Sequence, residues 1–343
     1  MASPTDLFKL ARDNPVVFIE KVLKVAPREG GEFVPFNLFD AQRDFLNKVH
    51  IRGKRQASFE IVDKARRLGM STAIQGWAFT QIISRQGING LVMAHEREPA
   101  KEIFTMFKNF WYQLPPDFRA LYYCDQPGCN HQHDKCVFDY KEKQRWDFAW
   151  NSKFVTATAK SEESQRGSAQ HFLHLSECAS YENPELLIPA LLPSVPKGSP
   201  GIYVFAESTA KGQSGWFYDT FMQAQENVKR IADGRKAQSL WRPHFYPWFW
   251  EQSYRTRDYH NEDGLLEVDD LHTDEEAHLR EVYNLDDEQL GFRRYIIHTE
   301  LGGDVELFRQ EFPGNWEESF LYNQTQCFDG ARLSRMMSLA KAE

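Results

Sequence analysis

Apolar and polar positions along the chain follow two periods, and each change of period predicts a new element. Five short apolar runs bounded by turn residues predict buried strands: SFEIVDKA (58–65), INGLVMAH (88–95), SKFVTATA (152–159), HFLHLSECA (171–179) and GIYVFAEST (201–209). Helical patterns follow the first two strands, in STAIQGWAFTQIISR and EPAKEIFTMFKNFWYQL. Because apolar strands alternate with helices, the sequence predicts an α/β fold whose mainly parallel sheet is covered by helices.

Polar clusters occur where these predicted strands end. The segments KARRLGMST, HERE, SECA and ESTAKG each follow an apolar run. Open parallel sheets bind their ligands at the carboxyl ends of the strands. We therefore expect these four segments to form one site at that edge of the sheet.

The segment KARRLGMST (64–72) resembles the phosphate-binding pattern G-x-x-x-x-G-K-[ST], with two departures. Lys64 stands where the pattern has its first glycine, and Met70 stands where it has its lysine. Gly69 permits a tight turn. Ser71, or less favourably Thr72, offers Mg²⁺ a hydroxyl beside the amides of a helix N-terminus.

Positive charge in this segment comes from Lys64, Arg66 and Arg67. A nucleotide loop needs a cation that reaches the terminal phosphates. We hypothesise that Lys64 reaches across the loop and replaces the lysine that is missing at Met70. The alternative is a basic turn between a strand and a helix that binds no ligand.

The fourth predicted strand ends in Ser176 and Glu177. ATPases usually have Asp-Glu at this place, where the Asp holds Mg²⁺ and the Glu orients the attacking water. Glu177 is therefore a candidate catalytic residue. Ser176 can hydrogen-bond a metal-bound water but adds no charge. The alternative is a strand that ends in a carboxylate by chance.

Four further residues are weaker candidates. Ser208 and Thr209 end the next strand, where hydroxyls can sense the γ-phosphate. Arg166, in the polar loop KSEESQRGSAQ, suits an arginine finger that stabilises transition-state charge. Gln42, in FDAQRDFL, could bracket the edge of an adenine with its amide. Ordinary loop and surface residues are the alternative for all four.

Composition limits the partners that the chain can have. Its 343 residues carry 41 basic and 49 acidic side chains, a net charge of −8, so contact with nucleic acid would have to be local. The acidic stretch 257–290 is expected to be a solvated face turned away from DNA. No apolar run approaches the roughly 18 residues that span a bilayer. The N-terminus is too charged for a signal peptide, which predicts a cytoplasmic protein.

The segment CDQPGCNHQHDKC (124–136) concentrates cysteine and histidine. Zinc takes four tetrahedral Cys or His ligands. The segment therefore predicts a structural zinc site made by Cys124, Cys129, Cys136 and one histidine, with His133 favoured over His131. The spacing is not that of paired C-x₂-C knuckles, and a polar insertion with free thiols is the alternative.

The order of these segments is that of a known family. Gln42, KARRLGMST, LVMAHEREPAKEIF, RG, LHLSECA, ESTAKG and FRQEFPGNWEESFL together resemble the ATPase region of the large terminase subunit of tailed bacteriophages, over nearly the whole chain. The resemblance implies a P-loop NTPase of the RecA/ASCE type that hydrolyses ATP with Mg²⁺ and drives double-stranded DNA into a procapsid. It also implies a homo-oligomeric ring with the portal protein and the small terminase subunit as partners. The implied location is the host cytoplasm, away from membranes.

The resemblance assigns roles to residues one position at a time. Gln42 matches an adenine-contacting glutamine, and Glu177 matches the catalytic glutamate. A variant phosphate loop is matched by Lys64, Gly69, Ser71 and Thr72, and the motif that couples hydrolysis to movement is matched by Ser208, Thr209 and Ala210. Arg166 matches an arginine that acts on a neighbouring subunit's nucleotide. Ser176 departs from the family's usual Asp. That departure leaves open which group coordinates Mg²⁺.

The predicted organisation is an ATPase domain at 1–240, with the Cys/His segment as an insertion at about 122–140, and a linker or lid subdomain at 241–343. A nuclease domain needs clustered carboxylates around two metals. After Glu318 the sequence has only Asp329 and Glu343, so no nuclease domain is expected in this chain.

Two other functions remain open from the sequence. A helicase-like DNA-dependent ATPase has similar early motifs, but residues 215–343 contain no arginine-rich motif of the kind that a second helicase domain needs. The other alternative is a zinc-binding interaction module whose nucleotide site has decayed at Met70 and Ser176.

Overall fold

The computed structural model describes residues 3–27, 29–123, 137–160, 168–255, 260–261, 264–265 and 274–320. The strands of this part of the chain are β1 (Lys24–Val25), β2 (Val34–Pro35), β3 (Ser58–Lys64), β4 (Asn89–Ala94), β5 (Phe138–Lys141), β6 (Arg145–Phe148), β7 (Lys153–Thr158), β8 (Phe172–Ser176), β9 (Tyr203–Ser208), β10 (Trp241–Tyr246), β11 (His260–Asn261) and β12 (Gly264–Leu265).

The helices in the same residues divide into an N-terminal group, a group that follows strands of the sheet, and a C-terminal group. They are α1 (Pro4–Asp13), α2 (Pro15–Val22), α3 (Asp40–Gly53), α4 (Met70–Ser84), α5 (Arg97–Tyr112), α6 (Pro116–Arg119), α7 (Pro184–Leu191), α8 (Trp216–Ala232), α9 (Asp274–Tyr283), α10 (Asp287–Tyr295), α11 (Val305–Glu311) and α12 (Trp316–Ser319). No helix of the described residues is both long and apolar enough to cross a membrane.

The main sheet of the described residues has eight strands in the order β10-β3-β9-β8-β4-β7-β6-β5. Neighbours from β10 to β7 are parallel, and β6 and β5 continue the sheet in antiparallel pairing. The five predicted strands are β3, β4, β7, β8 and β9, so the prediction of a mainly parallel α/β sheet is confirmed.

Helices cover the sheet on both faces because successive side chains of its central strands enter different layers. In β4, Leu91 and Met93 belong to one cluster of buried residues, and Val92 belongs to the other. The Val92 layer contains side chains of α3, α4 and α5, and the Leu91 layer contains side chains of α7 and α8. The carboxyl edge of the sheet is left for polar groups.

Helix α4, which follows the phosphate-loop segment, is buried on nearly its whole circumference. From Met70 to Ser84 only Ser71 and Thr72 are not buried. A helix that is apolar all round belongs in the interior. The sequence therefore places α4 between layers and brings two hydroxyls to the surface at its N-terminus.

Strand β10 carries the sheet past the domain boundary predicted at residue 240. Each residue from Trp241 to Tyr246 pairs in parallel with β3, and an edge strand tolerates Pro243 because one of its sides has no strand partner. Farther along the chain, Phe292 of α10 and Phe308 of α11 pack against Trp248. The division into an ATPase domain and a lid subdomain stays a prediction.

Candidate functional site

The phosphate-loop segment forms a tight connection between β3 and α4. Strand β3 ends at Lys64 and helix α4 begins at Met70. Two residues of the connection adopt positive φ angles, +60° at Arg67 and +63° at Gly69. The chain therefore reverses at the N-terminus of α4, where the amides of the first helical turn have no carbonyl partner within the helix.

Gly69 is needed for its size as well as its backbone angle. A Cβ atom at this position would lie 2.5 Å from Nε2 of Gln42, which is too close for any side chain. The Gln42 Nε2 group donates to the carbonyls of Leu68 and Gly69, at 3.0 and 2.9 Å. Oε1 of Gln42 accepts from the amide of Phe39 at 3.1 Å. Gln42 therefore holds the loop, and both of its amide hydrogens are engaged in doing so.

Lys64 lies between two carboxylates from two neighbouring strands. Its Nζ is 3.0 Å from Oε1 of Glu177 and 3.2 Å from Oε2 of Glu207, and its side chain is only 6% exposed. Burial alone would lower the pKa of Lys64, but the charges of Glu207 and Glu177 raise it above its ordinary value. The Lys64 side chain is therefore charged, and it points along the carboxyl edge of the sheet.

Glu207 is the residue of this site that the sequence analysis missed. Its side chain is fully buried, and Oε1 accepts from the hydroxyls of Ser71 at 2.6 Å and Ser176 at 2.9 Å. Burial raises the pKa of Glu207, but Lys64 and the hydrogen bonds from His174 and Ser71 bring it below its ordinary value. The signal was a single acidic residue in YVFAES, a strand that the apolar pattern places in the interior.

The Glu177 carboxylate contacts the two hydroxyl residues predicted at the end of β9. Its Oε2 accepts from the hydroxyl of Ser208 at 3.3 Å and from the amide of Thr209 at 3.4 Å. The Glu177 backbone has a φ of +52°, an unusual value for a residue with a side chain. The structure thus brings together three residues that were predicted separately, Lys64, Glu177 and Ser208.

Met70 and Thr72 do not face this cluster. The Met70 side chain is 1% exposed and belongs to the hydrophobic core, so it could reach a phosphate only through its backbone. The Thr72 hydroxyl donates to the sulfur of Met106 in α5, at 3.8 Å. Of the two hydroxyls predicted for Mg²⁺, the one at Ser71 is therefore the one directed at the site.

The two arginines of the segment lie on the surface. Arg66 is exposed, and its Nη1 lies 3.4 Å from Oε2 of Glu311 in α11. Arg67 is also exposed. The backbone of Arg66 is held from the C-terminal side: its amide donates to the carbonyl of Glu311 at 2.8 Å, and its carbonyl accepts from the hydroxyl of Tyr254 at 2.7 Å.

Five predicted site residues lie outside the described residues. They are Arg166 and the four predicted zinc ligands, Cys124, Cys129, His133 and Cys136. Among the residues that the structure does describe, no group of three or more His, Cys, Asp or Glu side chains is arranged to hold a metal ion.

Strand β9, which carries Glu207 and Ser208, separates β3, the strand before the phosphate-loop segment, from β8, the strand before Glu177. This strand order is the one expected of the RecA/ASCE-like P-loop fold predicted from the sequence. Ligands of such sheets bind at the carboxyl ends of the strands, which is where Lys64, Glu177 and Glu207 meet.

Neither a known protein-family model nor a curated protein sequence matches the chain. Among solved structures, the ATPase domain of the Thermus phage P74-26 large terminase aligns with 82% of this chain and 93% of its own, at 16% identity and a TM-score of 0.45. The HK97 bacteriophage large terminase aligns with 72% of this chain and 46% of its own, at 14% identity and a TM-score of 0.49.

The large terminase of the thermophilic bacteriophage D6E, solved in complex with ATP-γ-S, aligns with 63% of this chain and 46% of its own, at 10% identity and a TM-score of 0.38. The aligned part thus spans about half the length of the HK97 and D6E proteins. These proteins belong to the family that the sequence motifs resemble. At such low identities the likeness concerns the fold, and the argument for function rests on the site itself.

Proposed function

We propose that this chain is a Mg²⁺-dependent ATPase whose phosphate-binding lysine is Lys64. The observation that carries the proposal is the position of its Nζ, 3.0 Å from Glu177 and 3.2 Å from Glu207 at the N-terminus of α4. A structural ion pair would need neither a glycine turn nor the unpaired amides of a helix N-terminus beside it. A phosphate group needs both.

The chain's own groups divide the work of hydrolysis between them. The amides of the first turn of α4 and the Lys64 ammonium bind the phosphate oxygens. The Glu177 side chain is 32% exposed, so its carboxylate can accept a hydrogen bond from the attacking water. Ser208 and Thr209 contact the same carboxylate, and they would register a change in its position after hydrolysis.

The oxygen groups at this site fit a magnesium ion. Mg²⁺ prefers oxygen ligands, and the Ser71 hydroxyl stands with the carboxylates of Glu177 and Glu207 beside the first turn of α4. A bound Mg²⁺ would neutralise charge on the β- and γ-phosphates. We propose Ser71 as the residue of the loop that holds it.

A cavity of about 490 Å³ is our candidate for the adenine site. It is lined by Asp40, Phe249, Trp250, Gln252 and Arg255. Tyr254, the neighbour of Arg255, donates to a loop carbonyl at 2.7 Å, which ties this cavity to the phosphate site. Aromatic rings with a few polar groups suit a purine. Gln42 then acts by holding the loop, in place of the adenine contact predicted for it.

The first experiment measures ATP hydrolysis and ATP affinity of the full chain with Mg²⁺. We expect Lys64→Ala and Glu177→Ala each to abolish hydrolysis, and Lys64→Ala also to weaken ATP binding. Lys101→Ala removes an exposed lysine that pairs with Glu98 on α5, and it should change neither. An unchanged ATP affinity in Lys64→Ala would contradict the role proposed for this lysine.

We further propose that hydrolysis drives double-stranded DNA into a procapsid, in a homo-oligomeric ring with the portal protein and the small terminase subunit, in the host cytoplasm. The order of motifs along the chain supports this.

A translocating motor displaces a third strand from duplex DNA without separating the duplex. A helicase-like ATPase, the alternative, unwinds it. Triplex-displacement and unwinding assays on the same preparation separate the two.

Arg166 is our candidate for an arginine that acts on a neighbouring subunit's nucleotide. If it does, mixed assemblies of Arg166→Ala and Glu177→Ala subunits should recover part of the activity that each variant lacks alone. Assembled mixtures that stay inactive would contradict action between subunits.

A structural zinc ion at Cys124, Cys129, Cys136 and His133 also remains a proposal. Metal analysis of the purified full chain should give one zinc per chain, reduced by Cys124→Ser. A content well below one equivalent would dismiss it, and with it the alternative of a zinc-binding interaction module.

A further inference from the structure

Glu207 lies between the phosphate loop and the Glu177 strand, with hydrogen bonds to both. We propose that Glu207 is the carboxylate that orients the Mg²⁺ ligands of this site, in place of the acidic residue that Ser176 replaces. This inference rests on the proposed ATPase function and extends it. Glu207 acts through Ser71 and Ser176, so its role is that of a positioning residue.

Two serine hydroxyls at this site direct their protons at Glu207. Ser71 and Ser176 both donate to Oε1 of Glu207, at 2.6 and 2.9 Å. A hydroxyl has a single proton, so a serine that gives it to a carboxylate presents only lone pairs elsewhere. The Ser71 oxygen is thereby fixed as an acceptor, which is the state that a cation requires of its ligand. Outer partners of this kind set the orientation and basicity of metal ligands.

Glu207 is also the buried carboxyl group of this site. Its side chain is fully buried, and Nζ of Lys64 lies 3.2 Å from its Oε2. His174 lies on the other side of the carboxyl group: its Nδ1 is 2.8 Å from Nε2 of Gln75, and its Nε2 is 3.4 Å from Oε1 of Glu207. The site therefore has a buried carboxyl group on β9, paired with Lys64, although the end of β8 lacks the usual Asp.

Strand register explains why only one of these two strands carries an acidic residue here. Ser176 and Glu207 are direct partners in the parallel pairing of β8 with β9. Carboxylates at both positions would lie side by side in the interior, and two buried like charges at that separation repel. A single acidic residue is tolerated there. The Ser176 hydroxyl on β8 therefore hydrogen-bonds the Glu207 carboxylate on β9, and the acidic residue of the pair lies on β9 instead of β8.

The test is a titration of ADP binding with Mg²⁺, using the full chain, with EDTA as the metal-free reference. The wild type is compared with Glu207→Gln and with the double variant Ser176→Asp/Glu207→Gln. Glu60→Gln is the matched control. Glu60 is an equally buried carboxylate of the same sheet, paired with Arg52 and His244 away from this cluster.

We expect Glu207→Gln to raise the Mg²⁺ concentration at half-saturation by about 10- to 100-fold, which is the usual effect of removing an outer partner of a metal ligand. The double variant should restore most of that loss, because the negative charge returns on β8. Glu60→Gln should leave the half-saturation point unchanged, whatever it does to stability.

Two results overturn the inference. One is an unchanged Mg²⁺ half-saturation point in Glu207→Gln. The other is an equal loss of ADP affinity with Mg²⁺ and with EDTA, which would show that Glu207 only supports the fold around Lys64. If Glu207→Gln does not fold, Glu207→Asp keeps the charge and shortens its reach, and the same two measurements apply. A wild-type chain that binds no ADP would instead refute the proposed function.

Discussion

At the scale of single residues, the site depends on two side chains that the phosphate-loop pattern does not name. Gln42 holds the carbonyls of Leu68 and Gly69, and Glu207 accepts from Ser71. Lys64, Gly69 and Glu177 could be predicted as site residues from the sequence, because each stands at a fixed offset in a known pattern. The hydrogen-bond partners of Gln42 and Glu207 could not be predicted from the sequence, because strand pairing and helix packing bring those groups together from distant parts of the chain.

Met70 stands in the lysine position of the pattern and should matter for stability more than for chemistry. It is 1% exposed in the hydrophobic core, and truncating a buried Met to Ala typically costs about 2–5 kcal/mol of unfolding free energy. We expect Met70→Ala to lower the melting temperature clearly while the folded protein keeps its ATP affinity within a few-fold. Thermal unfolding and ATP titration at low temperature measure the two effects.

Met93→Ala provides the comparison, because Met93 is equally buried in β4 but lies away from the loop. Both variants should lose similar stability and keep nucleotide binding. An ATP affinity that collapses in Met70→Ala alone would mean that this side chain has a direct part in the site.

Asp63 precedes Lys64 in β3 and should make stability depend on pH. It is fully buried, Oδ2 accepts from the Ser319 hydroxyl at 2.5 Å, and burial raises the pKa of this carboxyl to about 7 from 3.8. Between these values the folded state binds a proton that the unfolded state has released. Stability therefore falls as pH rises through this window, with the full penalty present above about pH 7.

Asp63→Asn should remove this penalty, raising the melting temperature more at about pH 8 than at about pH 5. Asp219→Asn changes an exposed carboxyl of α8 and should shift both temperatures equally. Melting curves of the three proteins at both pH values make the comparison. Equal shifts in Asp63→Asn would show that this carboxyl is not the origin of the dependence.

At the scale of elements, the apolar runs predicted five central strands because a strand buried on both faces must be apolar throughout. The sheet's outer strands were missed for physical reasons. β5 and β6 contain charged residues such as Lys141 and Arg145, which face solvent at the edge, and β10 contains Pro243. β5 and β10 are edge strands that pair with one neighbour each, and β6 lies next to the edge between β7 and β5, so these three sequences carry a weaker apolar pattern than the central strands.

The C-terminal part of the chain should restrain the phosphate loop through two hydrogen bonds to Arg66. Its carbonyl accepts from the Tyr254 hydroxyl at 2.7 Å, and its amide donates to Glu311 in α11 at 2.8 Å. Tyr254→Phe removes the first bond, worth about 0.5–1.5 kcal/mol. We expect faster amide hydrogen exchange in residues 65–70 and weaker ATP binding by a few-fold.

Tyr283→Phe is the matched control, because its hydroxyl accepts from Asn315 at 2.7 Å within the C-terminal helices and does not touch the loop. Exchange in residues 65–70 should be unchanged in this variant. Equal exchange in both variants would show that the loop is held by its own turn and by Gln42 alone.

At the scale of the whole molecule, the net charge constrains how the proposed DNA motor could bind its substrate. The chain has 49 acidic and 41 basic side chains, for a net charge of −8, so the long-range field repels a polyanion. Each phosphate that a protein neutralises contributes about −0.9 to the slope of log affinity against log salt. A surface with few basic groups in contact gives a shallow slope.

We therefore expect the isolated chain to bind duplex DNA weakly, with a slope shallower than about −4, the value for four or five neutralised phosphates. Fluorescence anisotropy with a labelled duplex between about 50 and 200 mM salt measures it. Adding ATP-γ-S should change the affinity, because a motor must alternate its grip with its nucleotide state. A steep slope would reveal a large basic surface. A DNA affinity that does not change when ATP-γ-S is added would favour an ATPase that does not translocate DNA.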